Sequence, residues 1–292
     1  MNPTLVQLES EALTVPHELG LPPCPHVLLD VGRELRSEAP DVRKVARLIA
    51  HDATSAAMIL KAVNSPYYGL SNKARSIQQA IAHLGANRTS LLLAGLLLRN
   101  AFPSSSKAAM AQFWDTSTEL ALTAAFVARK VRSVDSGEAH TYGLFRDIGA
   151  AVLICRFEDC SALPDFDHRG SASQLMAWER ERCGADHATI GARLAADWQL
   201  PQEMCAAICW HHGAFAAGER HAIADGALRF IALGHLCDRI MDAFHGIPAS
   251  AQNAPGHAQA LQALGLSDAG FDAIEAAAAA MLDAVCGAPA AR

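Results

Sequence analysis

The chain has 292 residues, of which 51% are hydrophobic and 18% charged, so it can bury a large core and is not expected to be disordered. Its 24 Lys and Arg residues against 30 Asp and Glu residues leave no basic excess to attract a phosphate backbone, which argues against a nucleic-acid partner. Apolar runs such as residues 91–98 fall far short of the roughly 20 residues of a membrane span, and Met1–Glu11 is polar. We therefore expect a cytoplasmic protein with no membrane contact.

Apolar residues recur at a spacing of three to four along almost the whole chain, and no stretch alternates, which predicts an all-α fold. The first clear helix is expected after Pro40 and Asp41, which form a helix start signal. The second is expected from near Asp52 to Asn64, because Ser65 precedes a proline and cannot easily stay helical.

A third predicted helix opens at Ser76, with Gln79 three residues later as in a capping box, and ends at Gly85. The next, over residues 88–99, is apolar on all sides, which predicts a helix at the centre of the core. Further helices are predicted over residues 109–132, 138–157, 173–183, 186–198, 201–212 and 225–245.

The alanine-rich tail, residues 251–285, predicts one or two more helices. The sequence Asn253-Ala254-Pro255-Gly256 is expected to form a turn within it, and Ser267 to cap the last helix.

Histidines and carboxylates suggest one chemical site. His211 and His212 are adjacent at the end of a predicted helix, while His187, Asp147 and Asp238 lie in other segments. Adjacent helical residues point about 100° apart, so both histidines can reach one metal only where the helix ends, and the glycine that follows them supplies that end. Scattered His and Asp ligands suit a divalent transition metal in a helical bundle, although such histidines can also act as plain C-terminal caps.

Several short motifs occur in a fixed order along the chain. They are Leu21-Pro22-Pro23-Cys24-Pro25, Ile49-Ala50-His51-Asp52, Ala62-Val63-Asn64-Ser65-Pro66-Tyr67-Tyr68-Gly69, Ser76-Ile77-Gln78-Gln79-Ala80-Ile81-Ala82-His83-Leu84-Gly85, Phe113-Trp114, Gly143-Leu144-Phe145-Arg146-Asp147-Ile148-Gly149, Glu179-Arg180-Glu181-Arg182-Cys183-Gly184-Ala185-Asp186-His187 and Trp210-His211-His212. This ordered series resembles the HDOD domain of bacterial signalling proteins, and the resemblance covers roughly Leu19 to Asp238.

HDOD domains are similar to the HD phosphohydrolases and the HD-GYP cyclic-di-GMP phosphodiesterases, with an added N-terminal helical subdomain. The resemblance implies a leader over residues 1–18 and an N-terminal helical subdomain over residues 19–106. That subdomain is expected to pack on a degenerate HD-like helical bundle over residues 107–246, followed by C-terminal alanine-rich helices over residues 247–292.

The resemblance also implies a damaged metal centre. In the related enzymes, a His, a His-Asp pair and a late Asp bind one metal, while the bridging Asp and three further histidines bind its neighbour. Thr116 and Arg146 stand at two of the histidine positions of the first metal, so that metal should be absent. The remaining residues allow one divalent transition metal. The ligand positions that remain are Asp147, His187, His211 and His212, with Asp238 as the late carboxylate.

Two other segments are given different roles. His51-Asp52 has the same two residues as the His-Asp pair of the related enzymes. It falls between two N-terminal helices, however, where Asp52 is expected to be a helix N-cap. Asn64, Tyr67 and Tyr68 belong to a helix stop, and the alternative is that they contact a partner or ligand at a groove.

Together these features predict a regulatory protein of bacterial signal transduction that is not an enzyme and acts by binding other signalling proteins or a small ligand. The alternative is a metal-dependent phosphohydrolase that acts on a nucleotide or cyclic dinucleotide with a single metal.

Overall fold

A computed structural model describes residues 15–65, 68–70, 72–102, 108–157, 172–215, 223–247 and 254–286. Every regular element in these ranges is a helix, which confirms the all-α prediction. The chain divides into two compact units, of which the smaller comprises Pro22–Pro103 with Asp197–Leu200 and the larger holds the rest. The predicted boundary between residues 106 and 107 and most of the predicted leader lie outside the described residues.

The smaller unit is built from five helices within the part of the chain that the structure describes. They are α1 (His26–Leu35), α2 (Val42–His51), α3 (Ala53–Val63), α4 (Ile77–Leu84) and α5 (Ala86–Leu98), followed by a 3₁₀ turn at Arg99–Ala101. Their apolar faces meet in one core, because α1 packs against α2 and α5, α2 against α4, and α3 against α5.

Short polar side chains start three of these helices. The carboxylate of Asp41 accepts a hydrogen bond from the N–H of Arg43, and that of Asp52 accepts one from Ser55 at 2.6 Å. The hydroxyl of Ser76 accepts the N–H of Gln79, so all three predicted helix starts are confirmed.

Two expectations for this unit are wrong. The first helix of the unit is α1, for which no helix was predicted from the sequence. It buries Leu28 and Val31, and the preceding Pro25 stands at its N-cap, just before the first helical turn. The leucine-rich α5 is not central to the core, since Leu93 and Leu98 are buried whereas its other leucines are only half-buried. Uniform apolar character hides which face of a helix meets its neighbours.

The larger unit contains the remaining described helices. They are α6 (Ala108–Val131), α7 (Ser136–Phe145), α8 (Ile148–Arg156), α9 (Ala172–Cys183), α10 (His187–Asp197), α11 (Gln202–Trp210), α12 (Asp225–Phe244), α13 (Ala254–Leu264) and α14 (Asp268–Cys286). The long helices α6 and α12 pack together; α12 also contacts α11 and α13, and α6 contacts α7 and α14. Gly143 on α7 lets the two backbones approach, since a Cβ there would lie 2.5 Å from the Cα of Ala121 on α6.

The helix predicted over residues 138–157 is two helices. The chain bends at Arg146 and Asp147, where Asp147 has φ −106° and ψ 16° and makes no capping bond to the start of α8. Its side chain instead contacts the side chains of Arg146 and His211. The bend is what turns Asp147 towards residues of other helices.

The tail also differs in detail from its prediction. Ala254–Leu264 is helical, so Pro255 and Gly256 lie in the first turn of α13 rather than in a turn between helices, a position where proline costs no hydrogen bond. The hydroxyl of Ser267 accepts the N–H of Gly270 at 3.2 Å, which confirms that cap.

Among the described residues, no single helix combines the length and apolar character needed to cross a bilayer. The helices at 77–84 and 86–101 would pass only as a pair, and they are bent by 112° at their junction.

Candidate metal centre

Four side chains from three parts of the larger unit converge. Asp147 lies between α7 and α8, His187 is the first residue of α10, and His211 and His212 follow the end of α11. One ligand atom from each lies within 4.8 Å of every other. In the part of the chain that the structure describes, this is the one group of three or more His, Cys, Asp or Glu residues with this geometry.

Close backbone packing brings Asp147 to His187. A Cβ at Gly149, two residues after Asp147, would overlap the carbonyl oxygen of His187 and lie 2.8 Å from the nitrogen of Gly191. The start of α8 therefore rests directly on the first turn of α10, and only glycine allows that approach.

The end of α11 presents both adjacent histidines. The helix stops at Trp210, and the turn that follows sets the rings of His211 and His212 with their centroids 4.0 Å apart. The Nδ1 of His211 lies 2.7 Å from the carbonyl oxygen of Ile208, so Nδ1 carries a proton and donates it there. The other ring nitrogen of His211 then has no proton when the ring is neutral.

Ring nitrogens and a carboxylate oxygen converge at the centre of the cluster. The Nε2 of His211 lies 3.1 Å from the Oδ1 of Asp147 but makes no hydrogen bond, although it is buried. The Nε2 of His187 is 2.9 Å from the Nε2 of His212 and 3.9 Å from the same Asp147 oxygen. Imidazole nitrogens and a carboxylate oxygen that face one another in this way fit a divalent transition metal, which satisfies all of them at once.

The charges of the cluster are strongly coupled. Burial alone would raise the pKa of Asp147, but the guanidinium of Arg146 holds that pKa well below its usual range. Burial would lower the pKa of His187, and the hydrogen bond and charge of Glu179 outweigh burial and raise it. Burial and the neighbouring His211 and His187 lower the pKa of His212 well below its usual range, so His212 is neutral at physiological pH.

Arg146 is buried beside the cluster, with 3% of its side chain exposed. Its Nε and Nη2 each lie 2.9 Å from the Oδ2 of Asp147, and its Nη1 lies 2.8 Å from the Oδ1 of Asp238. Burial alone would lower the pKa of Arg146, but the two carboxylates raise it. Gly234 makes room for the guanidinium, since a Cβ there would lie 3.3 Å from Nη1 and 3.1 Å from the hydroxyl of Tyr142.

The structure thus separates the predicted site residues. It brings Asp147, His187, His211 and His212 together and places Asp238 against Arg146 instead. Thr116 is half-buried on α6.

The His51-Asp52 pair lies in the smaller unit, whereas the cluster lies in the larger one. His51 is exposed at the end of α2, and Asp52 caps α3, as predicted.

Asn64 and Tyr68, which were predicted to belong to a helix stop or to line a groove, make hydrogen bonds near the end of α3. The amide of Asn64 donates to the carbonyl of Ala74 at 2.9 Å and accepts the N–H of Ala74 at 2.7 Å, so it ties the end of α3 to the segment before α4. The N–H of Tyr68 donates to Ser65, and Tyr67 lies outside the described residues. A role of these residues in binding stays a prediction.

Sequence reasoning missed one residue of the site. Glu179 on α9 is fully buried, and its Oε2 accepts the main-chain N–H of His187 at 2.9 Å and lies 2.7 Å from the Nδ1 of the same residue. Gly184, with φ +79°, follows α9 where the chain turns back towards α10. A glutamate and a histidine on either side of a glycine turn could have signalled this contact.

Comparison with known proteins gives the family. The model of the HDOD domain matches residues 21–214, about two thirds of the chain, so this protein belongs to the HDOD family. The chain is also 24% identical over 225 residues to an uncharacterized protein from Treponema pallidum (strain Nichols); the match covers 72% of this chain and 42% of that relative. The match therefore spans less than half the length of this curated relative.

Solved structures share the fold. A crystal structure of a candidate phosphohydrolase from Shewanella amazonensis SB2B matches with a TM-score of 0.65 and 20% identity, covering 96% of this chain and 94% of the other. An HDOD domain protein of unknown function from Geobacter sulfurreducens matches with a TM-score of 0.62, 21% identity and coverage of 90% and 92%. A candidate signal transduction protein from Marinobacter aquaeolei VT8 gives a TM-score of 0.59, 21% identity and coverage of 95% and 64%.

Proposed function

We propose that this HDOD protein is a non-catalytic regulator of signal transduction that acts by binding other signalling proteins or a small ligand. The observation that carries the proposal is the buried position of Arg146, whose guanidinium engages one oxygen of Asp147 and one of Asp238. Two-metal hydrolysis needs a second cation to clamp the attacking and leaving oxygens. Here a permanently charged side chain holds the carboxylates that such a cation would use.

We also propose that the cluster binds one divalent transition metal. Asp147 through Oδ1, together with His187, His211 and His212, would hold it, and the unpartnered Nε2 of His211 is the buried atom that most needs it. A bound metal would supply Lewis acidity and lower the pKa of a coordinated water. In a regulator, the same ion would tie α8, α10 and α11 together and stabilise the face that a partner meets.

The name of the Marinobacter neighbour and the family membership support a signalling role. The partner, by the same reasoning, is another protein of a bacterial signalling pathway.

A second candidate function is hydrolysis with a single metal. The intact Asp147, His187, His211 and His212 cluster favours it, as does the name of the Shewanella neighbour. The substrate would be a nucleotide or a cyclic dinucleotide.

An activity assay separates the two functions. Purified protein, supplied in turn with Mn²⁺, Fe²⁺, Mg²⁺ and Ni²⁺, is incubated with cyclic-di-GMP and with a generic phosphodiester, and its metal content is measured. We expect no turnover. Metal-dependent hydrolysis that disappears in Asp147→Ala would overturn the non-catalytic proposal and favour the phosphohydrolase.

Metal content also tests which residues bind. His211→Ala should lose most of the bound metal, because a four-ligand site depends on each ligand, whereas His51→Ala should keep it. Loss in His51→Ala with retention in His211→Ala would show that the site lies elsewhere.

A further inference from the structure

Glu179 is an acidic side chain with no exposed surface, and its Oε1 makes no hydrogen bond. Burying a carboxyl group in this way is costly unless it gains something from its neighbours. Both contacts of its other oxygen are with a single residue, His187, through the main-chain N–H and through Nδ1 of the ring. Glu179 therefore acts on the histidine that lies at the centre of the cluster.

The direction of these hydrogen bonds follows from their geometry. A main-chain N–H can only donate, so the Oε2 of Glu179 is an acceptor. The same oxygen lies 2.7 Å from the Nδ1 of His187, and an oxygen without a proton of its own can only accept there, so that nitrogen carries a proton and donates it. The assignment holds for an ionised carboxylate and for an acid whose proton sits on the free Oε1.

The consequence appears on the other side of the ring. With one proton held on Nδ1, the neutral ring of His187 has an electron pair on Nε2, which faces the Nε2 of His212 at 2.9 Å and the Oδ1 of Asp147 at 3.9 Å. We propose that Glu179 is the positioning residue of the cluster: it fixes the tautomer and orientation of His187 so that Nε2 is presented to a divalent transition metal. The part of this proposal that concerns metal binding rests on the proposed single-metal site, whereas the part that concerns the tautomer of His187 is independent of it.

A second histidine of the cluster, His211, is oriented in the same way, by a hydrogen bond from its Nδ1. The Nδ1 of His211 donates to the carbonyl oxygen of Ile208 at 2.7 Å, so its Nε2 also faces inwards. Acceptors of this kind orient metal-binding histidines and raise their affinity, and their loss typically weakens metal binding about 10- to 100-fold. The acceptor for His211 belongs to the main chain, but Glu179 can be replaced.

Nuclear magnetic resonance reads the tautomer directly. Long-range ¹H–¹⁵N spectra of the metal-free full chain are recorded in alkaline buffer, where imidazole rings are neutral, and His187→Gln identifies the signals of His187 by their loss. We compare wild type, Glu179→Leu, Glu179→Gln and the matched control Glu181→Leu, an exposed position on the same helix. Zn²⁺ affinity is measured on the same proteins by competition with a chelator.

The wild-type ring should carry its proton on Nδ1. Glu179→Leu should shift the proton towards Nε2 and lose about 10- to 100-fold in Zn²⁺ affinity. Glu179→Gln, whose amide oxygen can accept both bonds, should keep the tautomer and most of the affinity, and Glu181→Leu should match wild type.

Two results would overturn the proposal: a wild-type ring protonated on Nε2, or a Glu179→Leu ring that keeps its proton on Nδ1. If wild type binds no Zn²⁺, the single-metal site fails while the spectra still decide the role of Glu179. If Glu179→Leu does not fold, the wild-type spectrum and Glu179→Gln decide it.

Discussion

The guanidinium of Arg146 is buried between two carboxylates, and its removal would leave both charges uncompensated. We expect Arg146→Ala to lower the free energy of unfolding by about 3 to 5 kcal/mol, as for other broken buried ion pairs. Chemical denaturation measures this change.

Lys130→Ala is a suitable control for that experiment. This exposed cation lies 5.4 Å from the ring centroid of Phe126, and its removal should cost no more than about 1 kcal/mol. An Arg146→Ala protein as stable as the control would show that the buried pair does not stabilise the fold.

A second prediction concerns Arg146 and Thr116, which stand where the related enzymes have histidine ligands. Arg146→His restores one imidazole of the lost first metal position but leaves Thr116, so we expect weak metal uptake at that position and no hydrolysis. Adding Thr116→His should increase the metal bound per chain, because both missing histidine positions are then filled. Elemental analysis of the single and double variants tests this, and equal metal content in the two would contradict the assignment of Thr116.

Helix packing depends on Gly149. A Cβ there would overlap main-chain atoms of His187, and a main-chain neighbour cannot move aside as a flexible side chain can. Gly149→Ala should therefore destabilise the protein by roughly 3 kcal/mol, the upper part of the range for overpacking, and should weaken metal binding by separating Asp147 from His187.

The matched control is Gly270→Ala on α14. Its Cβ would lie 3.2 Å from the Ser267 hydroxyl oxygen, which needs to move by only a few tenths of an ångström and can stay in its cap, so the change should be neutral or stabilise by up to about 1 kcal/mol. Chemical denaturation measures the free energy of unfolding of both variants. Equal stabilities would mean that the backbones of α8 and α10 are not in close contact at Gly149.

The stability of the whole molecule should fall in acid. Burial lowers the pKa of His140 to about 4, and burial also lowers the pKa of His212 and of His235. Below pH 6.5 the unfolded chain takes up protons that the folded histidines resist, so the free energy of unfolding decreases as pH falls. For His140 alone, the loss between pH 6.5 and 4 is about 3 kcal/mol.

Other groups do not offset this loss over that range. The raised pKa of His187 adds stability that is fully present below pH 6.5, and the lowered pKa of Asp147 adds stability that is lost only in stronger acid. His140→Gln should therefore flatten the dependence of stability on pH, and replacement of the exposed His83 should not. Unchanged slopes in both variants would contradict the buried role of His140.

Local chemistry could be predicted from the sequence because it acts over a few residues. Helical spacing established the fold class, and the caps at Asp41, Asp52, Ser76 and Ser267 were predicted correctly, since each depends on a side chain and an N–H two or three positions away. The candidate ligands came from the order of motifs, which places residues in a known register without their contacts.

Only the tertiary structure decided the contacts between distant segments. It divided the helix predicted over residues 138–157, placed Arg146 against Asp238 and set Glu179 against His187. Glycines such as Gly149 matter only because of the backbone that approaches them. These features depend on the distances between separate helices and on which charged side chains become buried together. The spacing of residues along a single helix determines neither of them.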